Sequence, residues 1–347
     1  MDSVSQMALG AAVSVAVVGR RMPVWKAAAI GAAFGTLPDL DVVIDYGDPI
    51  RNMTFHRAES HALFWLTLFT PLAAWLTARL TGMADHFRLW CLNIWLILIT
   101  HALLDAMTVY GTQLLLPFSD MPLGVASIFI IDPLYTLPLL IGLFCAVRWR
   151  GRRGLNANRN GLLISTLYLC WTVLAQQHVA GIAERSLAAS DINAEQKLVT
   201  PTPFNTLIWR VLVITPDGGY SEGFYSLFDG DRPIRFTHFP RNMDLYRALR
   251  ENWETARMAW FSHGLFAMSE HDGEVRITDL RMGQQPNYVF SFAVARRDPA
   301  GLSAQLPVSR PSRVDIGRGV RWLGQRLLDA DTPPLHQFTV PVINEPR

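Results

Sequence analysis

The chain has 347 residues, enough for two domains of ordinary size. Half are hydrophobic and only 17% are charged, well under the usual quarter. A formal net charge of +2 excludes nucleic-acid binding driven by charge, and Cys91, Cys145 and Cys170, each inside an apolar run, exclude a disulfide framework or a zinc-finger spacing.

The averages hide a division. Residues 1–180 read as a membrane domain, 181–203 as a polar connector ending in Thr200-Pro-Thr-Pro203, and 204–347 as an extracytoplasmic α+β domain. The expected fold is a polytopic α-helical membrane domain of about six helices, the first two short, followed by a small α+β module with an antiparallel sheet. In chain order the apolar stretches are Val4–Val18, Val24–Leu37, Ala62–Leu80, Leu89–Tyr110, Ile128–Val147 and Gly161–Ala180. The last three reach the roughly 20 residues that cross about 30 Å of hydrocarbon. Gly31-Ala-Ala-Phe-Gly35 suits a close helix contact in the first pair. The Met1-Asp2-Ser3 start lacks a basic segment, so no cleaved signal peptide is expected.

Placing the N-terminus outside puts Arg20, Arg21, Lys26, Arg79, Arg88 and the arginines between Arg148 and Arg159 in inner loops. Only Arg51 and Arg57 fall outside. The positive-inside rule is then obeyed, and the C-terminal domain lies outside.

Six metal-capable side chains fall in or beside these apolar stretches: Asp39, Asp41, His56, His61, His101 and Asp105. Charged and imidazole groups are costly there and mark function. His101 and Asp105, four apart on one helix face, can share a cation. Asp39 and Asp41 flank one residue after Pro38, and a divalent ion would relieve their repulsion. His61 opens the third span with Ser60 as expected N-cap, and a helix N-terminus favours the neutral ring a metal requires. Arg57 is expected to hold a substrate anion. Asp132, before Pro133, is expected as an acid orienting a ligand histidine or as a capping residue at a helix start, the former preferred. All six ligand candidates converge on the outer leaflet under this topology.

Three acids and three imidazoles suit a divalent metal, zinc foremost with manganese as the alternative, as one ion or two. A metal-activated water with a spare carboxylate such as Asp39 as base would hydrolyse an ester. The alternatives are an ion or metal transporter and a non-enzymatic protein with a structural metal.

Gly35-Thr-Leu-Pro38-Asp39-Leu-Asp41, His56-Arg57-x-x-Ser60-His61 and His101-x-x-x-Asp105-x-x-Thr108 resemble the bacterial YdjM/YbcI-type family. Thr108–Pro117, Ile131-Asp132-Pro133-Leu134-Tyr135 and Pro203–Arg210 also fit its pattern, so the resemblance covers roughly residues 1–230. It implies a membrane-bound metal-dependent hydrolase of the bacterial inner membrane. The order Asp, His, His-x-x-x-Asp is more remotely similar to zinc-dependent phospholipases C and single-strand nucleases. That likeness implies a phosphoester, lipid-like substrate, with membrane lipid as partner.

The soluble part reads as strands at Thr206–Thr215 and Tyr220–Phe228 around Pro216-Asp-Gly-Gly219, then a helix at Met243–Met258. Further strands are expected at Trp260–Met268, Glu274–Met282 and Tyr288–Ala295, with a terminal helix at Ile316–Leu328.

Overall fold

The computed structural model describes residues 1–149, 151–299, 301–312 and 315–338; Arg150, counted above among the inner-loop arginines, lies outside them. The chain divides into two compact units. One comprises Met1–Tyr46, Asn52–Ala175 and Pro203–Asn205; the other comprises Gly47–Arg51, Gln176–Thr202 and the chain from Thr206.

The first unit is helical. Asp2 caps α1 (Ser3–Val18) by accepting from the amides of Val4 and Ser5. α2 (Val24–Thr36) follows Pro23 and leads into a 3₁₀ turn, Pro38–Val43. A short helix α3 (Pro49–Phe55) and a second 3₁₀ turn, Glu59–His61, precede α4 (Leu63–Leu80). Then come α5 (Phe87–Ala106), α6 (Pro133–Arg148) and α7 (Arg152–Ala189).

α4, α5 with its leading turn, and α7 are long and apolar enough to cross a membrane. α1, α2 and α6 are shorter, with 16, 13 and 16 residues. Thirteen residues at 1.5 Å each reach only about 20 Å. α6 is shorter than its apolar run because Asp132 caps it and Pro133 takes its first position. α5 ends at Ala106 rather than Tyr110, and the chain turns at Gly111, whose φ is 100°. α7 extends past its apolar run at both ends, since hydropathy marks lipid contact and not where a helix stops.

α5 is the centre of this unit. Trp90, Ile94, Leu98 and Ala102 pack against Ala73, Ala74 and Ala78 of α4 and Val15 and Val18 of α1. Ile97 and Leu104 meet Leu9 and Val13 of α1 and Tyr135 and Leu139 of α6. α1 and α2 cross at glycines, as the sequence suggested. A Cβ on Gly10 would lie 2.3 Å from the Gly31 carbonyl oxygen, and one on Gly35 would lie 2.5 Å from that of Gln6.

The second unit carries two four-stranded antiparallel sheets. β1 (Gln196–Pro201), β2 (Ile208–Ile214), β3 (Gly219–Ser226) and β4 (Phe236–Pro240) form a meander in that order. α8 (Met243–Leu249) and α9 (Trp253–Phe261) follow; Asn252 caps α9 and divides the single helix expected at 243–258. The second sheet runs β10-β9-β6-β5, from β5 (Phe266–His271), β6 (Glu274–Asp279), β9 (Ser291–Asp298) and β10 (Gly301–Ser309). A two-residue ladder, β7 (Gly283–Gln284) with β8 (Asn287–Tyr288), lies between β6 and β9. The strand expected at 260–268 therefore begins only at Phe266, because Trp260 and Phe261 complete α9. Residues 181–203, read as a connector, hold the end of α7 and all of β1. α10 (Ile316–Leu328) coincides with its predicted span.

The β2–β3 turn has Gly218 at φ 81°, and Asp217 accepts from the Thr215 hydroxyl and the Gly219 amide. Arg210 of β2 is fully buried beside Glu222 of β3, Nε to Oε1 2.6 Å, and also donates to the Leu280 carbonyl at 2.7 Å. Such a pair tolerates burial because each partner is satisfied.

Candidate metal centre

Each candidate ligand is delivered by an element end. Pro38 starts the 3₁₀ turn directly after α2, and Asp39 falls in its first turn. The second 3₁₀ turn ends on His61, immediately before α4. His101 and Asp105 lie in the last two turns of α5, on one face. The C-terminal ends of α2 and α5 and the N-terminal end of α4 thus meet at one end of the bundle.

There Asp39, His61, His101 and Asp105 present four ligand atoms within 4.8 Å of one another. The two Nε2 atoms are 3.1 Å apart. His61 Nε2 is 3.1 Å from Asp105 Oδ2 and 3.4 Å from Asp39 Oδ1. His101 Nε2 is 3.6 Å from each of those oxygens. Ligands about 2.0–2.1 Å from a tetrahedral cation stand about 3.3–3.4 Å apart, so the observed edges fit one ion.

The surrounding hydrogen bonds set the tautomers. His101 Nδ1 donates to the Gly35 carbonyl at 2.7 Å. Ser60 Oγ donates to Asp41 Oδ2, which leaves it to accept from His61 Nδ1 at 2.8 Å. Both Nε2 atoms then face the centre as lone pairs, beside two carboxylate oxygens. Four acceptors so close repel one another unless a cation sits among them. Asp39 Oδ1 is buried without a hydrogen-bond partner, so its lone pairs fit a role as a metal ligand.

Asp105 is fully buried. Its Oδ1 accepts from Gln6 Nε2 of α1 at 2.9 Å and lies against the Met1 amino nitrogen. Gln6 also donates to the His101 carbonyl at 3.2 Å. Asp39 is the most open of the four, with 15% of its side chain exposed.

Asp41 and His56 stand one layer out. His56 Nδ1 donates to Asp41 Oδ1 at 2.6 Å, and Asp41 Oδ2 accepts the Arg57 amide at 2.9 Å. Asp41 therefore orients the His61 segment, while His56 is spent on Asp41. Burial pushes the Asp41 carboxyl up, but the bonds from His56, Ser60 and the Arg57 amide outweigh it and hold it below the usual range. Ser60, expected as the cap of α4, serves this relay instead; Ala62 occupies the cap position.

Arg57 is buried, with its backbone in the left-handed region at φ 65°. Its Nε lies 3.2 Å from Asp105 Oδ2 and its guanidinium covers the Tyr110 ring at 4.9 Å. Nε and Nη1 make no hydrogen bond although buried.

Of the two roles expected for Asp132, it takes the capping one: it caps α6 through the amides of Leu134 and Tyr135 and accepts from the Tyr168 hydroxyl at 2.9 Å, away from the ligand histidines. A residue just before Pro133 is well placed for capping, which outweighs its apolar surroundings as a clue. Gln6 and the Gly35 carbonyl were missed. A lone Gln within the apolar run of α1 was the available signal for the first; a backbone carbonyl leaves none.

The family model described as YdjM inner membrane protein matches residues 1–179, the stretch that carries all four clustered ligands. No curated protein and no solved structure matches the chain.

Proposed function

We propose, from the premise that the chain belongs to the YdjM inner membrane protein family, that it is a metal-dependent hydrolase of esters, phosphoesters included, at the outer leaflet of the inner membrane. The observation that carries this reading is the four-acceptor centre of Asp39, His61, His101 and Asp105, which could hold a cation and is most exposed on the Asp39 side. Nitrogen and oxygen donors in equal number suit zinc first and manganese second. A divalent ion bound there supplies Lewis acidity and lowers the pKa of a water.

The remaining roles belong to the chain. Asp39, the exposed ligand, is placed to take a proton from the attacking water. Arg57 offers Nη1 to a substrate anion, and its fork geometry suits a phosphate or carboxylate. Asp41, Ser60 and Gly35 fix the two imidazoles, and Gln6 fixes Asp105. Asp132 supports α6 and takes no chemical part. Under the positive-inside topology the centre faces the outer leaflet and the C-terminal unit is periplasmic.

A second reading has its own support. Four protein donors at tetrahedral spacing resemble a closed structural site, whereas catalytic sites keep a position open. Purified protein decides between them through metal analysis and an ester panel, with His101→Ala and Asp105→Asn as comparisons. Turnover by the parent, lost together with the metal in both variants, supports the hydrolase. Bound metal with no turnover of any ester supports the structural site.

A further inference from the structure

Loops that end membrane helices are ordinarily polar, because they meet water. The two loops that border this metal centre are not. Directly after ligand Asp39 the chain exposes Leu40, Val42, Val43 and Ile44, with Val42 at 69% and Val43 at 79%. The α5–α6 loop exposes Leu115, Met121, Leu123 and Phe118, the last at 80%. Four consecutive or near-consecutive bare aliphatic residues are unfavourable in water, at roughly 25 cal/mol per Å² of apolar surface.

Both loops are tied to the centre. Gln113 donates its amide to the Arg57 carbonyl at 3.1 Å, and Leu114 accepts the Leu63 amide at 3.0 Å, at the start of α4. The Phe118 ring meets Phe64 edge-on at 5.6 Å. Phe64 begins the exposed apolar face of α4 that continues through Leu68 and Leu72. The loop surface is therefore an extension of a face made for acyl chains. The exposed acid Asp45 follows Ile44 and ends the first apolar segment, while the exposed Asp120 interrupts the second between Phe118 and Met121.

We infer that these two segments form a lipid-inserted rim, and that the centre takes its substrate sideways from the bilayer as an acyl-chain amphiphile whose ester or phosphoester head reaches Arg57 and Asp39. The insertion stands on the exposed surface alone; the substrate class rests on the hydrolase reading above.

The test has two arms on the full-length protein in nanodiscs of phosphatidylcholine and phosphatidylglycerol. In a background with Cys91, Cys145 and Cys170 replaced by alanine, nitroxide labels are placed at Val43→Cys and Phe118→Cys. Leu72→Cys serves as the acyl-core reference and Asp244→Cys as the aqueous one. Oxygen should relax the labels at 43 and 118 more than a water-soluble nickel chelate does, as at position 72. Nickel accessibility equal to that at 244 overturns the inserted rim, whatever the protein hydrolyses.

The second arm compares kcat/KM for a diacyl phospholipid with that for a water-soluble nitrophenyl phosphodiester. Replacing Val43 and Phe118 together by asparagine should lower the lipid-to-soluble ratio at least about tenfold, through lost apolar contact. An unchanged ratio overturns the lateral route. If the parent turns over neither compound, the hydrolase reading and the substrate class fall together, and the labels still report on the rim.

Discussion

His61 and His101 face each other Nε2 to Nε2 at 3.1 Å, and each ring's other nitrogen is already committed, one to Ser60 and one to the Gly35 carbonyl. Neither ring can rotate to relieve the contact without breaking one of these hydrogen bonds. A pair held this way could take a cation with little loss of side-chain freedom.

The relay behind His61 is open to a direct test. Ser60→Ala and Asp41→Asn leave all four donors in place but free the His61 ring. Each should weaken metal binding by about 10–100-fold. Competition against a chromophoric chelator measures this, with circular dichroism expected to show unchanged helix content.

Gly35 combines a packing role with a ligand-positioning one. In Gly35→Ala the new methyl would lie 2.5 Å from the Gln6 carbonyl oxygen, so α1 and α2 must part. Overpacking of this kind costs about 1–3 kcal/mol. Metal affinity should fall too, since Gln6 holds Asp105 and Gly35 holds His101. Gly319, within α10 and with nothing near its missing Cβ, is the contrast. Gly319→Ala should stabilise by up to about 1 kcal/mol. Thermal unfolding in detergent reads both.

Arg57 should separate binding of metal from turnover. Its cation lies 3.2 Å from Asp105 Oδ2 and competes with an ion there. Arg57→Gln should therefore bind metal as tightly as the parent or more so, yet lower kcat/KM on anionic esters by at least about tenfold. Calorimetric titration with zinc and steady-state kinetics check the two signs.

Asp132→Ala removes the cap of α6 and should cost about 0.5–2 kcal/mol. Metal stoichiometry should stay at the parent value, because Asp132 bonds to Leu134, Tyr135 and Tyr168 and to no ligand. A fall in metal content would return Asp132 to the site.

The second unit should weaken in alkali. Burial pushes the Tyr220 phenol up to about 12, partly countered by its bond with Tyr288. A folded pKa above the unfolded value of about 10 favours the native state below pH 10, and the advantage is lost as pH rises towards 12. Two units correspond to about 2–3 kcal/mol. Tyr220→Phe should flatten the decline in stability between pH 9.5 and 12, followed by denaturant unfolding.

The helical half and the sheet-rich half were legible because their cues are local. Apolar runs, Pro133 after Asp132 and the Pro216–Gly219 turn each act over a few residues. Element ends were less legible where a more polar helical stretch continues an apolar run, as at both ends of α7, or where one side chain decides, as Asn252 does between α8 and α9.

The ligand types were also written in the chain, since an imidazole or carboxylate in an apolar run is expensive and stands out. What the sequence by itself determined is that Asp39, His61, His101 and Asp105 belong together with Asp41, His56 and Arg57 at one end of the bundle. Which of them touch was decided by the fold. The glycine crossing of α1 and α2 sets where Gly35 and Gln6 stand, and two 3₁₀ turns aim Asp39 and His61 inward while the first also leaves Asp41 facing His56, which follows α3. Direction is a property of backbone turns and helix contacts distant in sequence, and residue spacing along one segment carries no record of it.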